Sequence, residues 1–144
     1  MSFESSDLTF DEGIRRILSA FKKANAHEPE DIVTSRSKDI LKVAALLGSS
    51  SPVNGFKKWQ LPVFMDGPSQ FFVSVGAADT VVPIHSHDEG DGIRVIMSGS
   101  IIYKGIELTE GDWMFIPKGR KYDFQVGARG VTQFYCYQCC CVPK

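Results

Sequence analysis

The sequence predicts a mainly β protein, a small barrel or sandwich, with two α-helices at its N-terminus. Apolar residues recur with helical spacing only before residue 50, whereas later residues form short apolar runs separated by glycine-containing turns. A length of 144 residues suits one domain with a single hydrophobic core. We therefore predict a helical segment over residues 1–50 and a β-barrel domain over residues 51–144.

Both helices are predicted from apolar stripes. Residues 9–26 carry the first stripe, and Thr9 with Glu12 resembles a capping box, in which each side chain satisfies a backbone donor at the helix start. A second stripe follows Ser37, and Gly48 is expected to end that helix in a left-handed conformation. We expect both stripes to pack on the barrel or on a second copy of the chain.

Seven short strands are predicted after the breaker-rich segment 49–55. Many short strands with glycine turns between them are typical of a small barrel or sandwich. Since the strand at 112–116 is apolar on both faces, we expect it to be central or at an interface. The predicted strands are 71–75, 81–85, 93–97, 100–104, 112–116, 122–126 and 131–137.

Charge and hydropathy argue against several classes of partner. The formal net charge of −1 gives no electrostatic reason to expect nucleic acid or an anionic membrane. No apolar run approaches the roughly 20 residues that span a bilayer. The acidic, mixed N-terminus lacks the basic and apolar regions of a secretory signal. We therefore expect a cytoplasmic protein that contacts neither nucleic acid nor membrane.

All cysteines lie near the C-terminus, at Cys136, Cys139, Cys140 and Cys141. A disulfide framework would space its cysteines along the chain, so none is predicted. Cys136 and Cys139 form a CxxC pair, which a zinc site of mixed histidine and cysteine ligands could use. The alternative is that these cysteines are small buried apolar residues or incidental residues of the tail.

Two motifs lie between about residues 70 and 135, separated by a short strand pair. The first is a His-x-His followed by glycine, and the second lies in GDWMFIPKGRKY; their main residues are His85, His87, Gly99, Gly111, Pro117 and Gly119. In order and spacing these motifs resemble those of the cupins. The resemblance implies a cupin-type jelly-roll barrel, a fold that often holds a metal ion inside.

The chain departs from the family pattern at two of the four usual metal ligands. The family's glutamate falls on Gly92, and its final histidine falls on Tyr122. The glycine that usually precedes the first histidine is Asp79. The resemblance thus implies the cupin fold but leaves open whether the metal is retained.

His85 and His87 are the first candidate metal ligands. Alternate side chains of a strand project from one face, so two imidazoles spaced in this way can meet one ion. A third ligand could come from Asp91 or Glu89 in the DEGDG loop, and Asp91 would require a bulge because it lies one residue from the family position. Tyr122 could instead ligate the ion or act as an acid beside it. The predicted cofactor is a divalent ion such as Fe, Zn, Ni or Mn.

Arg94 receives two conflicting predictions. The family register turns its side chain into the barrel together with Gly92, whereas the apolar alternation of Ile93 and Val95 turns it to solvent. In the first case a buried guanidinium needs an anion, and a substrate carboxylate is the natural candidate. Glycine at position 92 would then leave room for something larger than a metal ligand.

Two functions follow from these residues. One is a metal-dependent enzyme of dioxygenase, lyase or isomerase type, acting on a small polar or carboxylate-bearing molecule with Tyr122 and Arg94 as catalytic residues. The other is a metal-free or metal-optional cupin that binds a small molecule, or serves as a sensory or assembly module, without catalysis. The retained histidine pair favours the first, and the two lost ligands favour the second. The resemblance also implies association through an edge strand or sheet face, so we expect a homodimer.

Overall fold

The computed structural model describes residues 8–49 and 54–138. Within them the chain is mainly β, with two helices, α1 (Phe10–Lys23) and α2 (Lys38–Ala44), which confirms the predicted fold class at that level. The described strands are β1 (Val33–Thr34), β2 (Gly48–Ser49), β3 (Lys58–Trp59), β4 (Ser69–Gly76), β5 (Val81–His85), β6 (Gly92–Tyr103), β7 (Ile106–Thr109), β8 (Trp113–Ile116) and β9 (Tyr122–Gln138).

The chain divides into two compact units, one of Met1–Glu28 with Arg36–Phe64 and the other of Pro29–Ser35 with Met65–Lys144. The first holds α1, α2, β2 and β3, and the second holds the remaining strands. Residues 29–35 belong with the sheet because Val33 of β1 pairs with Phe115 of β8. The predicted boundary at residue 50 between a helical segment and a β-barrel domain stays a prediction.

The helix starts agree with the sequence better than the helix ends. At α1 the Thr9 hydroxyl accepts from the Glu12 amide at 3.3 Å, and the Thr9 amide donates to the Glu12 carboxylate at 2.8 Å, so the capping box is present. The expectation for Gly48 is wrong. α2 ends earlier, with Ala45 as its C-cap, and Gly48 lies in β2 opposite Trp59.

One antiparallel sheet of seven strands forms the second unit, in the order β1-β8-β6-β9-β4, with β7 beside β6 and β5 beside β9. β8 lies between β1 and β6, as expected for a strand that is apolar on both faces. Two pairs of predicted strands are each one long strand, β6 and β9, and the strands β1 and β7 of this sheet were not predicted. The sheet is not closed among the described strands, so barrel closure stays a prediction.

The long strands β6 and β9 change partners at a glycine crossing. Gly99 and Gly130 both have positive φ, and a Cβ on Gly99 would collide with the Gly130 carbonyl oxygen. The β6–β9 register shifts at the same place, between Gly99 and Ile101. As a result the first half of β9 pairs with β5 and the second half with β4. One strand can therefore bring residues from both of its halves to a single interior site.

No helix among the described residues is long and apolar enough to cross a membrane.

Candidate functional site

Arg94 lies on the buried inner face of β6, and its side chain is only 8% exposed. The prediction from the family register is therefore right, and the prediction that Arg94 faces solvent is wrong. The apolar alternation was misleading because both faces of this sheet carry apolar residues. On the outer face Val95 lies beside Trp113 of β8 and Phe134 of β9, so an apolar residue at position 95 does not mark the inner face.

The Arg94 guanidinium is held mainly by aromatic rings. Its carbon lies 4.0 Å from the centre of the Tyr135 ring and 5.2 Å from that of Phe124. Its Nη2 donates to the Tyr122 hydroxyl at 2.9 Å, and its Nε has no partner among the described residues. No described acidic side chain forms an ion pair with Arg94. Aromatic faces attract a buried cation but do not neutralise its charge.

Tyr122 connects Arg94 to the histidine pair. Its hydroxyl lies 3.2 Å from Nε2 of His87 as well as 2.9 Å from Arg94 Nη2. Because a guanidinium can only donate, the hydroxyl oxygen accepts from Arg94 and its hydrogen is directed to His87. That bond needs a neutral imidazole with its proton on Nδ1. Burial, with smaller contributions from His85 and Arg94, lowers the pKa of His87 and favours this neutral form.

The two histidines of the His-x-His motif lie side by side but are held by different elements. Their ring centroids are 5.2 Å apart and the ring planes are nearly perpendicular. β5 ends at His85, whose Nδ1 is 2.8 Å from the Pro83 carbonyl oxygen. His87 lies in the following loop, and its carbonyl accepts from the Gly119 amide at 2.8 Å. The family's second motif thus positions the second histidine.

The two loop carboxylates proposed as further metal ligands have other partners. Asp91 accepts from the Lys118 amide at 2.8 Å, and the Tyr137 hydroxyl donates to Glu89 at 3.4 Å. In the part of the chain that the structure describes, no three side chains of His, Cys, Asp or Glu are grouped to hold a metal ion. The structure therefore brings His85 and His87 together with Tyr122, and does not complete the site with Asp91 or Glu89.

The described residues do not fit a resident metal ion. A metal centre usually needs about three protein ligands, and only two imidazoles meet here. A Cβ on Gly92 would lie 3.3 Å from the Tyr135 hydroxyl oxygen, so Tyr135 takes the space expected to be open where the family has glutamate. The buried guanidinium of Arg94 also adds a positive charge, which opposes cation binding at the neighbouring His87.

Two buried residues of the site were missed by the sequence analysis. Tyr135 lies directly opposite Arg94 in the β6–β9 register, and Gln133 lies opposite Ile96. Burial raises the pKa of the Tyr135 hydroxyl far above its usual range, so the hydroxyl stays protonated and can donate. The sequence signal for Gln133 was its position two residues before Tyr135, because side chains two residues apart in a strand lie on the same face.

Cys136 is buried on β9, where burial raises the pKa of its thiol and so disfavours the thiolate that binds metals. It pairs with Phe71 and Ile93 and, by strand alternation, faces away from the side that carries Tyr135. The zinc site with the CxxC pair is therefore not supported at Cys136. Cys139, Cys140 and Cys141 lie outside the described residues.

Comparison with known proteins identifies the family. No protein-family model matches the chain, and none of the curated proteins matches it. Among solved structures, a cupin protein from Bacteroides fragilis is 30% identical, covers 52% of this chain and is covered over 67% of its own length, with a TM-score of 0.42. This chain belongs to the cupin superfamily.

Two other solved structures are similar to this chain at lower sequence identity. An RmlC-like cupin protein from Desulfovibrio desulfuricans is 15% identical over 62% of this chain and 95% of its own, with a TM-score of 0.42. A bacterial pirin from Escherichia coli, solved in complex with nickel(II), is 9% identical over 51% of this chain and 31% of its own, also with a TM-score of 0.42. This cupin thus spans about two thirds of the Bacteroides protein and less than one third of the pirin.

Proposed function

We propose that this cupin binds a small carboxylate-bearing molecule on the inner face of its sheet, with Arg94 as the anion-binding residue and without a resident metal ion. The observation that carries the proposal is a guanidinium, 8% exposed, that has no acidic partner among the described residues. An isolated buried charge costs several kcal/mol, and an arriving carboxylate removes much of that cost. Arginine also matches the planar geometry of a carboxylate.

The rings around Arg94 favour a ligand with a flat or apolar body. The His87 ring lies 5.7 Å from Tyr135 and 5.4 Å from Tyr137 between ring centroids. Phe72, which is partly exposed, lies 6.4 Å and 6.2 Å from the same two tyrosines. We infer that a ligand enters by displacing Phe72, the most exposed member of this aromatic group.

Tyr122 and His87 supply the catalytic part of the proposal. The Tyr122 hydroxyl is hydrogen-bonded to a neutral imidazole on one side and to a guanidinium on the other. A tyrosine in that setting is placed to pass a proton between a bound ligand and His87. We therefore propose proton-transfer chemistry of lyase or isomerase type, with Arg94 orienting the carboxylate. Binding without turnover would use the same residues.

A metal-dependent enzyme is the second candidate, and one observation favours it. The imidazoles of His85 and His87 lie 5.2 Å apart between ring centroids, which is close enough for modest side-chain movement to bring both to one ion. This candidate needs a further ligand and must overcome the charge of Arg94. We therefore place it behind the carboxylate-binding proposal.

Titration with benzoate, benzamide and benzylamine tests the carboxylate-binding proposal, since the three probes share a ring and differ in charge. We expect benzoate to bind at least about tenfold more tightly than the other two, because a charge-assisted bond to a guanidinium adds roughly 1.5–3 kcal/mol. Isothermal titration calorimetry measures the three affinities.

The same titration on Arg94→Met should show no preference for benzoate. Arg129→Met, which removes an exposed arginine from the same sheet, should keep it. Equal binding of all three probes to the wild-type cupin, or a preference that survives in Arg94→Met, would contradict the proposal.

We also propose that the cupin forms a homodimer through its β4 strands. Among the described strands β4 lies at an edge of the sheet, and its sequence SQFFVSVG contains no charged residue to prevent pairing. Phe71, Val73 and Val75 are 69%, 63% and 78% exposed. A second β4 strand, antiparallel across a two-fold axis, would satisfy the free backbone edge and cover these side chains. A second copy of the chain is a suitable partner, because its own β4 edge is equally uncharged and apolar.

Sedimentation velocity tests the dimer. We expect the wild-type cupin to sediment as a dimer at micromolar concentration, and Val73→Lys to sediment as a monomer because a charge would be buried at the shared edge. Val81→Lys, at an exposed valine of β5, should stay dimeric. A monomeric wild type, or a dimer that tolerates Val73→Lys, would argue against pairing through β4.

A further inference from the structure

We infer that the ligand carries a hydroxyl or amide N–H as well as its carboxylate, and that the Gln133 side-chain oxygen accepts a hydrogen bond from that group. The inference rests on the carboxylate-binding proposal and narrows it to small hydroxycarboxylic acids or their amide-bearing analogues. It starts from three buried polar atoms without a hydrogen-bond partner among the described residues, which are Arg94 Nε, the Tyr135 hydroxyl oxygen and Gln133 Oε1.

These three atoms belong to side chains that share one face of two neighbouring strands. Arg94 lies opposite Tyr135 in the β6–β9 register, and Gln133 lies on the same face as Tyr135, two residues earlier in β9. All three side chains are more than nine-tenths buried, with Gln133 6% exposed and Arg94 and Tyr135 each 8% exposed. Buried polar atoms are nearly always paired, so three unpaired atoms on one face indicate a missing partner there.

The three atoms differ in what they require. Arg94 Nε and the protonated Tyr135 hydroxyl are donors, which suits the two oxygens of a carboxylate. Gln133 Nε2 donates to the Ser74 hydroxyl oxygen at 3.1 Å, and this bond leaves Oε1 as the acceptor. An acceptor can be satisfied only by a donor, and a carboxylate has none. The ligand group that meets Gln133 is therefore a hydroxyl or an N–H.

This arrangement would let the site discriminate between acids with and without a second polar group. An acid without a second polar group would leave the buried Gln133 oxygen unpaired, and a site built to bond a ligand hydroxyl discriminates strongly against analogues that lack it. We expect a preference of at least about tenfold for the hydroxylated member of a matched pair.

Calorimetric titration with three matched pairs tests the inference, using salicylate and 4-hydroxybenzoate against benzoate, and mandelate against phenylacetate. We expect at least one hydroxy acid to bind the wild-type cupin about tenfold more tightly than its parent acid. Gln133→Leu should bind both members of that pair equally. Gln125→Leu, which removes an exposed glutamine from the same strand, should keep the preference.

Equal binding within every pair, or a preference that survives in Gln133→Leu, would overturn the inference. If the parent acids still bind the wild type and are lost in Arg94→Met, the carboxylate-binding proposal stands while the role of Gln133 fails. If no acid binds the wild type, both fail. Should Gln133→Leu not fold, as judged by its melting curve, the comparison within pairs on the wild type decides alone.

Discussion

Replacing Arg94 with methionine should make the cupin more stable and should abolish carboxylate binding. Methionine has similar length and no charge, so the substitution removes the cost of burying a guanidinium that has no acidic partner among the described residues. Apolar replacement of buried charged groups often stabilises a protein by about 1–4 kcal/mol. The lost bond to Tyr122 and the lost ring contact with Tyr135 offset part of this gain. We expect a net increase of about 1–2 kcal/mol in the free energy of unfolding.

Chemical denaturation measures this change, and benzoate titration of the same sample measures the binding. Arg129→Met is the matched control, because surface substitutions usually change stability by less than about 0.5 kcal/mol. A residue that costs stability yet is needed for binding has a functional role. Loss of several kcal/mol in Arg94→Met with unchanged benzoate binding would instead show that the guanidinium holds the aromatic rings together.

The second large effect concerns metal content. Purified without an affinity metal, the wild-type cupin should hold much less than one equivalent of iron, nickel, zinc or manganese. Arg94→Glu should then bind zinc at least about tenfold more tightly, because a repelling cation becomes a carboxylate on the face that meets His85 and His87. Two histidines and one carboxylate are a common metal-binding set. Elemental analysis and competition with a chelating dye measure the content and the affinity.

The control for this experiment combines Arg94→Glu with His85→Ala and His87→Ala, and we expect it to lose the gained zinc. Stoichiometric metal in the wild type that disappears in the His85→Ala, His87→Ala double variant would contradict the metal-free proposal. That outcome would favour the metal-dependent enzyme predicted from the His-x-His motif.

Motif spacing predicted more of the site than side-chain periodicity did. The family register correctly placed Arg94 inside and brought Tyr122 to the histidines. Side chains of a strand alternate between its two faces, so the spacing from a motif residue determines the face on which another residue lies. The alternation of apolar residues predicted that Arg94 faces outwards. This prediction failed because both faces of the sheet carry apolar residues, and Ile93 and Val95 lie on the outer face. In such a strand the alternation of apolar residues does not indicate which face is buried.

Pairing between distant segments explains what the sequence did not reveal. Tyr135 meets Arg94 only through the β6–β9 register, across about forty residues of chain, and no local pattern encodes that register. Gln133 can be recognised as a candidate binding residue only when the burial of its side chain is known. Asp91 was predicted as a metal ligand, but its carboxylate accepts a hydrogen bond from the Lys118 amide. The turn that supplies this amide is distant in sequence, and composition alone does not predict its position.

A crystal structure of the cupin purified without an affinity metal, with anomalous data collected at the zinc, nickel, iron and manganese edges, tests the central claim most directly. We expect density for an organic anion within hydrogen-bond distance of the Arg94 guanidinium, and no anomalous peak between His85 and His87. An anomalous peak bridging the two imidazoles, with the guanidinium turned away from Tyr122 and no anion beside it, would contradict the proposed site.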